Sequence, residues 1–286
     1  MKDGIQIIGR QLVTVVALCL FGGLLSASLV RFAPGYGVDE RELDPRLSQA
    51  SLEAIRNSHR LKSGLLSYYG RYLARAAHGD FGTSEWLERP VSLLIKERFP
   101  VTVRSVVGGV GLAWTMALGI SLAGLFFRGF LFELSGTIAS GVLIALPTAV
   151  VAVFSVYLRA PVFLAIAVVM FPRLFRYLRN LLTEAYAQPC ILAAKARGIG
   201  PGRILVRHVL PLASPALLAL FGVSLSLAFG AAIPIEALCD SPGVGQLAWQ
   251  AALNRDLPLI LNLTLLVTLI TVAANLLANV ARERAR

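Results

Sequence analysis

The chain has 286 residues, of which 56% are hydrophobic and 15% charged, and its mean hydropathy is +0.71. A soluble domain is usually about 45–50% apolar and about 25% charged, so this composition excludes an ordinary soluble domain and predicts a polytopic membrane protein. The net charge of +11 does not indicate nucleic acid, because the basic residues flank apolar runs. That pattern is typical of topology control and contact with anionic lipid.

Residues 1–31 form a short polar start followed by an apolar run, Leu12 to Val30, long enough for a first spanning helix. The alternative is a cleaved signal peptide, since Ser26-Ala27-Ser28 resembles a cleavage region. The apolar run is longer than a usual signal-peptide core, which favours a retained helix.

Residues 32–100 are different in character, with ten basic and nine acidic side chains. Apolar residues at helical spacing predict helices over Leu47–Ser58 and Leu65–Ala77, and Gly79-Asp-Phe-Gly82 predicts a turn. A long segment with balanced charge can cross the membrane despite its arginines. We therefore expect an extracytoplasmic helical cap between the first and second spans.

The remaining residues, 101–286, contain five further apolar runs that predict a core of five spanning helices. Pro100 is expected in the first turn of the second span. Pro147 lies inside the third span, where it marks either a pore-lining kink or a simple packing kink. The predicted spans are Val101–Phe127, Leu134–Leu158, Pro161–Arg176, Val209–Ala232 and Leu259–Val280.

The loop from Arg173 to His208 carries seven basic side chains and one acidic side chain, Glu184. Short loops this basic face the cytoplasm, so six spans put both termini in the cytoplasm and residues 32–100 and 233–257 outside. The fold class is therefore predicted as all-α, with six transmembrane helices.

Within this loop, proline and glycine predict where a short helix begins and ends. Pro189 suits its first position and Gly198 the left-handed position that closes it. Pro201 can begin the next helix. The segment is either an amphipathic hairpin at the lipid interface or a helix that docks into another protein, and composition alone does not decide.

The segment 233–257 reads as turn-rich from Pro234, with Gly243 and Gly245 allowing sharp turns and a short helix through Leu247–Leu253. Three acidic residues in this segment either contact the cationic end of a ligand or cap helices and keep the outer edge of the protein hydrated. They are Glu236, Asp240 and Asp256.

Neither an enzyme nor a cofactor is predicted. The chain has no phosphate-binding G-x-x-x-x-G-K-[ST] motif, no G-x-S-x-G and no H-E-x-x-H. Its three cysteines, Cys19, Cys190 and Cys239, show no spacing typical of a disulfide framework or a zinc site.

The basic loop resembles the EAA loop of inner-membrane permease subunits of ATP-binding-cassette importers. Glu184 matches the leading Glu of that motif, and Gly198 matches its glycine fourteen positions on. Ala194-Lys-Ala-Arg-Gly198, followed by Arg207-His208, resembles the A-R-A-K-G and R-H pattern of the peptide/nickel branch, with Lys and Arg exchanged.

Four collinear motifs extend the resemblance over nearly the whole chain. Departures are Tyr36 in place of an Asp, a very short connection at Arg159-Ala-Pro161, and no D-P-R type ending after Val280. The motifs are Ala33-Pro-Gly35; Gly79-Asp-Phe-Gly-Thr-Ser84; Pro90-Val91 with Arg98-Phe-Pro-Val-Thr102; and Ser241-Pro-Gly-Val-Gly245 with Arg255-Asp-Leu-Pro258.

The resemblance implies a bacterial inner-membrane permease that pairs with a second permease subunit, two cytoplasmic ABC ATPase subunits and a substrate-binding protein. It implies a cytoplasmic coupling loop at 180–208, with ATPase contacts from Glu184, Ala194, Lys195, Arg197 and Gly198. Candidate substrate-path residues are Pro147, Glu236 and Asp240.

Two alternatives stay open. The first is a transport-inactive membrane anchor or assembly subunit of such a complex. The second, a secondary transporter, would predict buried intramembrane charges or inverted repeats, and neither is strong in the apolar runs. The solute is not specified, because oligopeptide, dipeptide, nickel-chelate and glutathione importers share these motifs.

Overall fold

The structure is a computed structural model, and it describes residues 17, 20–25, 28, 65–126 and 130–284. Within these ranges the chain is almost entirely helical, and the pairing of Thr83 with Pro90 is an isolated bridge. The helices are α1 (Leu65–Ala77), α2 (Val91–Phe126), α3 (Phe130–Ala145), α4 (Thr148–Tyr157), α5 (Val162–Tyr186), α6 (Pro189–Ala196), α7 (Pro201–Ile204), α8 (Leu210–Leu238), α9 (Val244–Leu253) and α10 (Leu257–Arg284). A π-helical turn, Leu205–Val209, joins α7 to α8.

Among the described residues, three helices are long and apolar enough to cross a membrane, at Val91–Leu125, Pro201–Leu238 and Leu257–Leu276. A bent pair, Gly136–Ala145 with Thr148–Tyr157, supplies a fourth span if it crosses as one unit. Helix α5 is as long as a span, but its second half carries charged residues. Six spans and the position of the cap stay predictions, since most of residues 12–30 and the helix expected at 47–58 lie outside the described residues.

The predicted third span is not one helix. The chain breaks at Leu146 and Pro147, and the helical pieces on either side are bent by 91°. Proline restricts the residue before it to extended backbone and cannot donate to the preceding turn. Pro147 therefore starts a new helix and does not merely kink an existing one.

Two other predicted boundaries are wrong. Helix α2 begins at Val91, ten residues before the predicted span, so Pro100 lies inside the helix and not in its first turn. The side chains of Val91 and Leu94 are buried, which gives this early part of the helix a packed face. Helix α8 continues through Pro234 to Leu238, so the segment from 233 begins as helix and not as turns.

The chain divides into two compact units, which are described separately. The first comprises residues 1–97 and 250–268. The predicted helix over Leu65–Ala77 is confirmed, and the predicted turn has positive φ at Gly79 and Gly82. Tyr72 packs in a small core and donates a hydrogen bond to Asn262 Oδ1 at 2.8 Å.

The second unit comprises residues 98–249 and 269–286, and α5 is its central helix. Helix α5 packs against α3, α4 and α8 through a buried apolar face. Gly109 permits one of the close helix contacts, because a Cβ there would lie 2.8 Å from the carbonyl oxygen of Phe163. The largest buried side chains of α5 are Ile166, Met170, Leu178 and Leu182. The sequence-based division at residues 31 and 100 stays a prediction.

Candidate functional site

The chain leaves the end of α5 and begins the short helix α6 without a loop. Helix α5 ends at Tyr186, and the N–H of Ala187 donates to the carbonyl oxygens of Thr183 and Glu184. Gln188 is extended, with φ −65° and ψ 146°, and Pro189 occupies the first turn of α6. The predicted role of Pro189 as a helix start is confirmed. Its fixed φ matches the helix, and its missing N–H would have had no partner there.

The far end of α6 is closed by two backbone hydrogen bonds around Gly198. The N–H of Gly198 donates to the carbonyl of Lys195 at 2.9 Å, and the N–H of Ile199 donates to that of Ala194 at 3.2 Å. This pair of bonds is the Schellman motif, which requires a left-handed residue between helix and loop. Gly198 has φ +73°, as its place in the sequence predicted.

One face of α6 is anchored to the rest of the second unit. Ile191 is fully buried and Ala194 is 4% exposed, and both join a cluster with Leu182 and Ala185 of α5. Ile204, the last residue of α7, belongs to the same cluster, so the cluster holds α6 between the end of α5 and α7. Helix α6 is thus fixed to α5 by apolar packing as well as by chain connectivity.

The opposite face of α6 is exposed and combines apolar and basic groups. Leu192 is 68% exposed, and Lys195 and Arg197 are also exposed. The Lys195 Nζ lies 4.1 Å from the centre of the Tyr186 ring, a cation–π distance. An exposed leucine flanked by two cations suits a partner groove that is apolar in the middle and acidic at the rim.

The structure divides the five predicted coupling residues between two environments. Glu184, Lys195, Arg197 and Gly198 are exposed, with Glu184 in the last turn of α5. Ala194 packs in the buried cluster, so it lies on the buried face of α6 and not on the exposed face. Leu192 is the exposed residue that the motif comparison missed, and its position on the face opposite Ile191 and Ala194 could have revealed it.

Of the predicted substrate-path residues, Glu236 has no exposed surface. Its Oε2 accepts hydrogen bonds from Thr102 Oγ1 at 3.0 Å and from the N–H of Gly245 at 2.8 Å. Thr102 Oγ1 in turn accepts the N–H of Val244 at 2.7 Å. These contacts support the capping role that the sequence left as the alternative, and the substrate-path role stays a prediction.

The position of the Glu236 side chain explains why the Ser241-Pro-Gly-Val-Gly245 motif has glycine at two positions. A Cβ on Gly243 would collide with the Glu236 carboxyl group, and one on Gly245 would lie 2.7 Å from the Cα of Ile233. Neither glycine is among the described residues with positive φ. The sequence interpretation, that they permit sharp turns, therefore gave the wrong reason: close approach requires them.

Asp240 and Pro147 are both exposed. Asp240 adopts φ +50° and accepts a hydrogen bond from Gln246 Nε2, whose Oε1 accepts one from Arg98 Nη1 at 3.0 Å. Pro147 lies at the break between α3 and α4. Their substrate-path roles stay predictions.

Asp256, in the first unit, has the helix-capping role that the sequence offered as an alternative. It is 1% exposed, and its Oδ1 accepts the N–H of Leu259 at 3.1 Å in the first turn of α10. Its Oδ2 accepts hydrogen bonds from Ser84 Oγ and from the N–H of Trp86. The Gly79-to-Ser84 and Arg255-to-Pro258 motifs are therefore joined through one buried carboxylate.

A cavity of about 340 Å³ beside the end of α3 was not predicted as a site. Besides Ile144, its walls are polar side chains of α5, namely Arg173, Arg176, Tyr177 and Asn180. Their spacing places them on one helix face, and this periodicity was the signal available in the sequence. Elsewhere, no three His, Cys, Asp or Glu side chains of the described residues gather as a metal site would require.

Known proteins are similar to this chain over most of its length. Residues 109–284 match the family described as "Binding-protein-dependent transport system inner membrane component". The chain is 27% identical to the oligopeptide transport system permease protein AppB of Bacillus subtilis, an alignment covering 96% of this chain and 95% of that protein. It is 29% identical to OppB of Escherichia coli K12 and 30% identical to OppB of Salmonella typhimurium, each over 85% of both chains.

The matched segment includes the short helix α6, the buried Glu236 and helices α3, α4, α5 and α8. Its apolar helices and the family assignment identify a multi-pass inner-membrane protein that serves as a translocation subunit. The chain belongs to the family of binding-protein-dependent transport system inner membrane components, the permease subunits of ABC importers.

Proposed function

We propose that the chain is the permease subunit of an ATP-driven importer that carries peptides or a related small solute. The supporting relatives carry the name of oligopeptide transport permeases and align with 85% to 96% of this chain. The proposed complex contains a second permease subunit, two cytoplasmic ATPase subunits and a substrate-binding protein. ATP is hydrolysed on the ATPase subunits and not on this chain.

The proposed topology has six spans, cytoplasmic termini and an outward helical cap at residues 32–100. Its support is the charge distribution, with seven basic side chains between Arg173 and His208. Helix α6 and its exposed face then lie in the cytoplasm, where the ATPase subunits bind. The coupling loop is proposed to extend over residues 180–208.

The observation that carries the coupling proposal is the way α6 is held. Its termini are fixed by Pro189 and by the Gly198 motif, and its inner face packs on α5. A force on the exposed face is therefore transmitted to α5 without deforming α6. Because α5 packs against α3, α4 and α8, displacement of α6 can move the translocation helices together.

A motor can shift such an equilibrium only if its contacts differ between the two states. ATP closes the ATPase dimer and displaces α6, and the access of the permease helices alternates between the two sides of the membrane. Glu184, Arg197 and Gly198 are proposed to make or shape the contacts that change, with Leu192 as the apolar anchor. Each is exposed in this structure.

The test replaces Leu192 by alanine, with Leu253→Ala as a matched control. Leu253 is 67% exposed, nearly the same fraction as Leu192, but belongs to the segment proposed to face outward. Burial of a leucine contributes about 1.5–3 kcal/mol, so Leu192→Ala should weaken ATPase binding about 10- to 160-fold. Leu253→Ala should change the affinity for the ATPase subunit by less than about twofold. Such a change corresponds to less free energy than the burial of one methylene group contributes.

Uptake and ATPase binding are measured together in proteoliposomes assembled with the partner subunits. Equal ATPase affinity for the two variants would contradict the coupling proposal. The alternative of a transport-inactive anchor predicts ATPase binding without ATP-dependent uptake of any peptide by the wild-type complex. Sustained uptake by the wild type would exclude that alternative.

A further inference from the structure

The second half of α5 has a polar face opposite its packed face. Leu174, Phe175 and Leu178 are buried in the core of the second unit. Arg173, Arg176, Tyr177 and Asn180 are exposed and line the cavity of about 340 Å³. That volume lies within the range of about 300–1,000 Å³ for small-molecule sites.

The two arginines have no acidic partner among the residues that the structure describes. In the part of the chain that the structure describes, neither Arg173 nor Arg176 forms an ion pair or a side-chain hydrogen bond, and neither does Asn180. Guanidinium groups three residues apart on one helix face can bind the same carboxylate, and a fork of N–H donors matches its two oxygens. The cavity therefore has the chemistry of an anion site.

These residues lie where the proposed fourth span, Pro161–Arg176, ends. Arg173 is eleven residues beyond Val162, the first residue of α5, which is about 16 Å along the helix axis. The basic loop that begins at Arg173 is proposed to face the cytoplasm, so the cavity lies at the inner end of this span. A solute that leaves the membrane on the cytoplasmic side would meet these two cations there.

The other wall of the cavity is the end of a broken helix. Ile144 is one residue before the last residue of α3, Ala145, and the chain then turns at Pro147. The final carbonyl groups of a helix have no partner in a following turn. Such carbonyls accept hydrogen bonds from amide N–H groups, which a peptide has beside its terminal carboxylate.

We infer that this cavity is a subsite of the translocation path that binds the C-terminal carboxylate of a peptide. Arg173 and Arg176 bind the carboxylate, with the Asn180 amide and Tyr177 hydroxyl as further donors. Carbonyl groups at the end of α3 accept the last N–H groups of the substrate. The inference rests on the proposed peptide function and gives the break at Pro147 a role in it.

The test compares uptake of Ala-Ala-Ala with uptake of its C-terminal amide. The complete complex is reconstituted in proteoliposomes, and uptake is compared at equal measured occupancy of the binding protein. The variant is Arg173→Gln with Arg176→Gln. The control is Arg104→Gln, an exposed arginine on α2 that has no ion pair in the described ranges.

Loss of a charged hydrogen-bonded contact should raise the KM for the free acid about tenfold in the double variant. The KM for the amide should change by less than about twofold, because the amide lacks the charge that the arginines bind. Arg104→Gln should change neither value. Restoring positive charge as Arg173→Lys with Arg176→Lys should recover part of the preference, which a purely structural role would not do.

The outcomes separate this inference from the function on which it rests. If the wild-type complex takes up neither peptide, the proposed peptide function fails and the inference fails with it. If the wild type takes up peptide but the double variant keeps the same preference for the free acid, the inference alone is overturned. A third outcome would also overturn the inference: native mass spectra show that the double variant has lost co-purified phosphatidylglycerol, while its preference for the free acid is unchanged. The arginines would then be assigned to binding of a lipid headgroup.

Discussion

Replacing Gly198 by alanine should weaken coupling through backbone strain and not through a clash. A Cβ at Gly198 would have no heavy atom within 4 Å, but the residue has φ +73°. The left-handed conformation costs an L-residue about 1–2 kcal/mol. The variant can avoid that cost by unwinding the last turn of α6, where both closing hydrogen bonds would be lost.

Binding of the ATPase subunit would then have to restore the strained turn. A cost of about 1–2 kcal/mol corresponds to about 5- to 30-fold weaker binding, since about 1.4 kcal/mol is a factor of ten. Gly198→Asn should have a smaller effect, because asparagine tolerates the left-handed region better than alanine. The permease should still insert, as the strain is confined to the end of a short exposed helix.

The dissociation constant of the ATPase subunit for permease in nanodiscs measures this effect. Gly200→Ala is the matched control, because Gly200 is also exposed and has no neighbour within 4 Å of an added Cβ, but has φ −63°. It should bind with wild-type affinity. If Gly198→Ala and Gly200→Ala bind equally well and couple ATP hydrolysis to uptake equally well, the reasoning from backbone conformation is refuted.

Three further predictions concern stability and thiol reactivity. Gly243→Ala should lower the stability of the purified permease by about 1–3 kcal/mol, because the new methyl group overlaps a buried carboxylate. Gly230→Ala, where the added Cβ meets nothing, should not do so, and equal melting temperatures would contradict the account. Asp256→Ala should cost about 1–3 kcal/mol through loss of a helix cap and of buried hydrogen bonds, and an unchanged melting temperature would argue against this role. In variants that each retain one cysteine, Cys190 should react with a maleimide faster than Cys239, because burial raises the pKa of the Cys239 thiol and keeps it protonated to higher pH. The difference between the two reaction rates should become smaller as pH rises. Equal rates for Cys239 and Cys190 at neutral pH would contradict this prediction.

The local structure of the proposed coupling loop was predictable because it depends on short-range backbone chemistry. Pro189 fixes its own φ at the start of α6, and Gly198 supplies the left-handed residue that the last turn needs. Both effects act within a few residues, so the sequence contains all the information. The amphipathic helix Leu65–Ala77 was predictable for the same reason.

Other predictions failed where distant contacts decide the outcome. Glu236 was assigned to a turn-rich segment, but α8 continues to Leu238 and brings the carboxylate to Thr102 and Gly245. The need for Gly243 comes from that carboxylate and not from its own backbone angles. No local pattern contains the contact with Thr102, which is more than a hundred positions away from Glu236.

By itself the sequence determined the helical class, the membrane location, and the start and end of α6, because composition, apolar run length and proline or glycine chemistry act locally. The resemblance of its motifs also identified the permease family, which the comparisons confirmed. Only the tertiary structure decided which face of α6 is buried, that the helix predicted as the third span is broken at Pro147 with a bend of 91°, and which acidic residues serve as structural acceptors. Those features depend on which side chains pack against one another, and the packing is set by segments far apart in the chain.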